Sequence, residues 1–126
     1  MNGNPVTWFE IYVKDMSRAK TFYESVFDVK LAQINTPEPS VDEIWSFPMN
    51  ESANGAAGAL VTMRNGGPSG NGTIVYFRSA DCAVEATRAK ASGGKVFKDK
   101  TSIGQYGFIT LVEDTEGNLV GVHSMA

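Results

Sequence analysis

Few side chains in this chain can do chemistry, and their scarcity limits what it can be. There is one histidine, His123, and one cysteine, Cys82, among 126 residues. A single cysteine allows no internal disulfide and no thiolate zinc centre within one chain. A single histidine allows no multi-histidine metal site, and any Ser-His-Asp relay would have to pass through His123. Glu10 is the carboxylate best placed for proton abstraction from an enolisable substrate. Its structural alternative is a half-buried carboxylate satisfied by Arg78, a tyrosine hydroxyl or water. Arg78 suits a substrate anion or an oxyanion. Cys82 opens a helix with no histidine beside it, so it reads as a small buried hydrophobe.

These residues sit on alternating strands. In 6–13, Trp8, Glu10 and Tyr12 alternate with Phe9, Ile11 and Val13, which is strand periodicity. Asp15 or Ser17 caps a helix ending near Phe27 and Asp28. Its stripe, Ala19, Phe22, Tyr23, Val26 and Phe27, is suited to packing on a sheet. Strands follow at 29–34, 41–49 and 59–63. The stretch 64–72, rich in glycine, is the internal boundary. It lacks the lysine and the serine or threonine of a phosphate-binding P-loop.

The same order then returns. A strand at 73–78 leads into a helix over 82–92 capped by Asp81 and closed by Gly93 and Gly94. A short strand at 95–97, a polar loop at 98–104, a strand at 105–113, a turn at 114–118 and a strand at 119–123 complete the chain. Aligning Asp15 with Asp81 sets Trp8 over Ile74, Glu10 over Tyr76 and Tyr12 over Arg78. The expected fold is α+β: paired βαβββ modules, spanning about 5–64 and 72–124 of one domain, whose mixed, curled sheets form a cleft. Strand alternation assigns Trp8, Glu10, Tyr12, Trp45, Phe47, Ile74, Tyr76, Arg78, Gly121 and His123 to that cleft. An aromatic pocket with a carboxylate and a guanidinium suits a small, partly apolar organic molecule.

Composition narrows the partners. Hydrophobic residues make up 42% and charged residues 20%, as in a globular protein, and the net charge of -3 gives no basic surplus for nucleic acid. Lys90, Lys95, Lys98 and Lys100 read as a solvated stretch diluted by acids. No apolar run is long enough to span a bilayer, and the first residues carry no secretion signal, so a cytoplasmic setting is expected.

The motifs Trp-Phe-Glu-Ile-Tyr-Val-Lys-Asp at 8–15, Arg18-Ala19-Lys20, Phe22-Tyr23 and Phe27, Gly58-Ala59-Leu60-Val61, and Asp114-Thr115-Glu116-Gly117-Asn118-Leu119 resemble the vicinal oxygen chelate superfamily. That superfamily includes glyoxalase I, extradiol dioxygenases and bleomycin-resistance proteins. The resemblance implies two βαβββ modules and, in metal-dependent members, a divalent ion held in the cleft. The ligand positions it implies here are Trp8, Ile74 and Gly121, with a fourth near 58–63, and none carries a ligand side chain. It therefore implies a member with no resident metal or cofactor that binds a small organic molecule, as bleomycin-resistance proteins do. The alternative is a lyase or isomerase resembling glyoxalase, in which Glu10 and His123 transfer protons or form an atypical metal site. A role confined to protein interaction is the third reading. The resemblance also implies a homodimer.

Overall fold

A computed structural model describes residues 3–65 and 72–126. The chain divides into two compact units, Trp8–Thr73 and Ile74–Ala126, the latter joined by the residues up to Thr7. Most of the glycine-rich stretch at 64–72 lies outside the described residues.

The first unit runs β1 (Val6–Tyr12), α1 (Met16–Phe27), β2 (Ala32–Ile34), β3 (Val41–Ser46) and β4 (Ala57–Met63). Its strands lie in the order β2-β3-β4-β1. β1 pairs parallel with β4, while β3 pairs antiparallel with both β2 and β4. Short turns can join antiparallel neighbours, whereas a parallel pair needs a longer crossover, supplied here by α1 and the two strands that follow it. Asp15 caps α1 by accepting the Arg18 amide at 3.0 Å. Asp28 ends it in the left-handed region at φ 53°.

The second unit repeats this with β5 (Thr73–Arg78), α2 (Cys82–Ala91), β6 (Lys95–Ser102), β7 (Phe108–Glu113) and β8 (Leu119–Ser124). Its order, β5-β8-β7-β6, is the first unit's order read from the other end, again with first and last strands parallel. The paired βαβββ pattern is thus present in full, as an α+β fold.

Two expectations need correction. The segments 95–97 and 98–104 are not strand then loop. Lys95–Ser102 is one strand, with register shifts at Val96/Lys98 and Lys98/Thr101. Its charged sequence hides this, because Lys98 and Lys100 take half-buried positions with their aliphatic stems. Lys100 Nζ is held 2.9 Å from Asp81 and 4.7 Å from the centroid of Phe108. The stripe on α1 also packs only in part. Met16, Ala19 and Tyr23 join Leu31, Leu60, Ile11 and Val13 in the core. Phe22, Val26 and Phe27 remain 59%, 55% and 61% exposed.

The parallel pairs leave little room between strands. Tyr76 lies opposite Gly121, and a Cβ at Gly121 would collide with the Tyr76 ring. Gly121→Ala should therefore cost about 1–3 kcal/mol through overpacking. Gly72→Ala, with nothing within 4 Å of the added carbon, should lie within about 0.5 kcal/mol of the parent. Urea unfolding of the two variants checks this.

Two turn carboxylates set an acid dependence. The Lys100 ammonium bonded to Asp81 and the Ala83 amide hold the Asp81 carboxyl below its usual range. The Asn118 side chain and amide, with the Glu116 and Gly117 amides, do the same for Asp114. A carboxyl whose folded value lies below its unfolded value stabilises the fold above the unfolded value, and that contribution is lost as pH falls through the folded one. Urea midpoints should fall as pH drops below about 4. They should fall less in the Asp81→Asn, Asp114→Asn double variant.

Candidate functional site

Trp8, Glu10 and Tyr12 are half-buried and share one face of β1. The Trp8 indole donates from Nε1 to Glu10 Oε2 at 3.1 Å, and the Tyr12 hydroxyl donates to Glu10 Oε1. Each oxygen of the carboxylate thus receives a donor from a neighbour two residues away. Across the sheet, Glu10 lies opposite Ala59, and Ala59 opposite Ser46. The residues opposite the carboxylate on this face, Ala59 and Ser46, are small.

Trp45 and Phe47 do not share that face. Ile11 lies opposite Leu60, and Leu60 opposite Trp45, so Trp45 belongs with the residues that pack under α1. Phe47 meets Tyr23 at 5.8 Å and Phe9 at 5.7 Å between ring centroids, also on the core side. Alternation along 41–49 correctly paired the two aromatics with each other. Which face they took depended on the register with β4, which shifts between Val41 and Glu43. Trp45 instead donates from Nε1 to Glu43 Oε1 at 3.1 Å, beneath Lys20 Nζ at 3.3 Å from the ring centroid.

In the second unit, Ile74 and Tyr76 are buried on β5, and Gly121 lies under the Tyr76 ring. Arg78 lies opposite His123 on the parallel neighbour β8. The Arg78 amide donates to the Pro5 carbonyl at 3.1 Å, and the residue is exposed. His123 donates from Nε2 to the Tyr106 carbonyl, since a carbonyl oxygen only accepts. This contact was not foreseen. The sequence places 104 at the end of a loop and 105–106 at the start of a strand, but Gly104–Tyr106 forms a 3₁₀ turn ended by Gly107 at φ +99°.

The side chains at the three positions the resemblance implies for metal ligands, Trp8, Ile74 and Gly121, are not metal ligands. Among the described residues no three histidine, cysteine or acidic side chains gather to hold one. Trp8 spends its donor on Glu10, Ile74 is fully buried, and the space beside Gly121 is filled by Tyr76. Among the described residues, one surface depression lies at the end of α1 around Glu24 and Lys30 and another around residues 33–43 and Arg64, and neither of these is lined by Glu10.

Comparison with known proteins places this geometry. No curated protein matches the chain by sequence. Among solved structures, a Streptomyces coelicolor methylmalonyl-CoA epimerase variant in complex with 2-nitronate-propionyl-CoA is similar at 21% identity and TM-score 0.69, over 96% of this chain and 94% of that one. A Mycobacterium tuberculosis methylmalonyl-CoA epimerase is similar at 15% identity and TM-score 0.70, over 97% and 88%. A hypothetical protein from Bacillus halodurans C-125 gives 14% and 0.72, over 94% and 92%. At these identities the likeness is one of fold. A family model matches residues 6–122. With that match and two βαβββ units, the chain belongs to the Glyoxalase/Bleomycin resistance protein/Dioxygenase superfamily.

Proposed function

We propose that this protein binds a small, partly apolar organic molecule against the Trp8–Glu10–Tyr12 face and does so without a resident metal ion. The observation that carries this reading is the Glu10 carboxylate, half-buried between two aromatic side chains that both donate to it. Aromatic walls supply contact area, and an oriented carboxylate selects a hydrogen-bond donor on the ligand. In the second unit Ile74 is fully buried and Tyr76 fills the space beside Gly121, so these residues, with Arg78 and His123 of that unit, leave the set of ligand contacts, as do Trp45 and Phe47. The setting we propose is a cytoplasmic homodimer, supported by the buried free thiol of Cys82 and by the apolar side chains that α1 leaves exposed.

A second reading is favoured by the epimerases of the same fold. In it Glu10 removes the proton beside a thioester carbonyl, exchanges it with solvent and returns a proton to the same carbon. No step passes through a metal.

Ligand-observed NMR with a set of aromatic amines, acids and amides tests the first reading. Fragments should bind the metal-free protein, and Trp8→Ala and Glu10→Gln should each weaken them at least about tenfold, the loss of one charged hydrogen bond. Arg64→Ala should not. Fragments indifferent to both substitutions would overturn the reading. So would one divalent ion per chain that is retained through purification and lost in the Glu10→Gln, His123→Ala double variant. Methylmalonyl-CoA in D₂O tests the second reading. Exchange of its α-proton, reduced about 10²-fold or more in Glu10→Gln, would establish proton transfer.

A further inference from the structure

Ligand contact alone does not require both polar aromatic side chains of the β1 face to spend their donors on one carboxylate. Yet Trp8 Nε1 reaches Glu10 Oε2 at 3.1 Å and the Tyr12 hydroxyl reaches Oε1. Residues i−2, i and i+2 of a strand stand about 6.6 Å apart on one face, a gap that only long side chains close. A glutamate on such a face otherwise samples several rotamers, because its outer torsion is broad. One donor on one oxygen fixes the direction of the side chain and leaves the carboxylate plane free to turn. Two donors from opposite sides, one on each oxygen, fix the plane as well.

The chain carries its own contrast. Its only other tryptophan, Trp45, also donates to a carboxylate two residues away, Glu43 Oε1 at 3.1 Å. No tyrosine stands on the far side of Glu43, where the chain has Val41. The Trp45 ring instead carries the Lys20 ammonium.

We propose that Trp8 and Tyr12 are positioning residues that hold the Glu10 carboxylate in one orientation for whatever approaches that face. This rests on Glu10 being the working carboxylate of the proposed site, and it gives Trp8 and Tyr12 a second role beside their contact with the ligand.

The test uses the full chain labelled with ¹³C-glutamate and ¹⁵N-tryptophan. Trp8→Phe and Tyr12→Phe keep the rings and remove only the donors. In the parent, the Glu10 Cγ order parameter should be near the rigid value of about 0.85. In the double variant it should fall below about 0.6, with Glu43 unchanged. In Glu10→Gln the Trp8 indole N–H signal should shift while that of Trp45 stays. A Glu10 as ordered in the double variant as in the parent, or a Trp8 signal indifferent to Glu10→Gln, overturns the proposal. A lowered melting temperature with Glu10 still fixed also overturns it, because that is what a purely structural role predicts. If Trp8→Phe fails to fold, Tyr12→Phe alone should still loosen Glu10, and the Glu10→Gln shift still decides. The aromatic fragments separate this inference from the site reading. Glu10 mobilised with fragment affinity unchanged sinks the site and keeps the positioning. Glu10 unmoved sinks the positioning whatever the fragments do.

Discussion

Each unit is organised by the parallel pairing of its first strand with its last. A parallel pair cannot be closed by a tight turn, so the chain must leave the sheet, cross as a helix and return through two more strands. β1 against β4 and β5 against β8 are these pairs. Both contain a point where a ring lies over a glycine, Phe9 on Gly58 and Tyr76 on Gly121. Any side chain at those glycines would meet the ring, so the pairing and the two glycines depend on each other.

Register then decides which chemistry is shared. A slip of one residue turns every side chain to the opposite face. The register Glu10–Ala59–Ser46 gives the carboxylate small neighbours, and Ile11–Leu60–Trp45 sends the indole beneath α1. The same indole that looks like a pocket wall in the sequence thus becomes core, with its polar edge satisfied by Glu43. Trp8 keeps its place beside Glu10 because both belong to one strand and cannot slip relative to each other.

The charged contacts away from that face sit at the ends of elements. Asp81 joins the cap of α2 to Lys100 on β6, and Asp114 closes the turn before β8. They tune the ends of elements and the acid limb of stability rather than the core. His123 does comparable work at the chain's end, where its bond to Tyr106 ties the 3₁₀ turn to β8.

By itself the sequence determined the module order, the Asp81 cap of the second helix and the Trp8–Glu10–Tyr12 face, and it narrowed the cap of the first helix to Asp15 or Ser17. These depend on neighbours close along the chain, through capping, strand alternation and i±2 contacts. Its residue types also ruled out a multi-histidine centre, since no fold can create a second histidine. Tertiary structure decided the rest. It turned Trp45 and Phe47 away from Glu10, because their face is set by pairing with β4, a strand more than ten residues downstream. It made one strand of Lys95–Ser102, because lysine stems are buried only when partners such as Asp81 and Phe108 receive them. It left Phe22, Val26 and Phe27 exposed on a stripe the periodicity marks as apolar, because periodicity says which side chains share a face and not how much sheet lies beneath them.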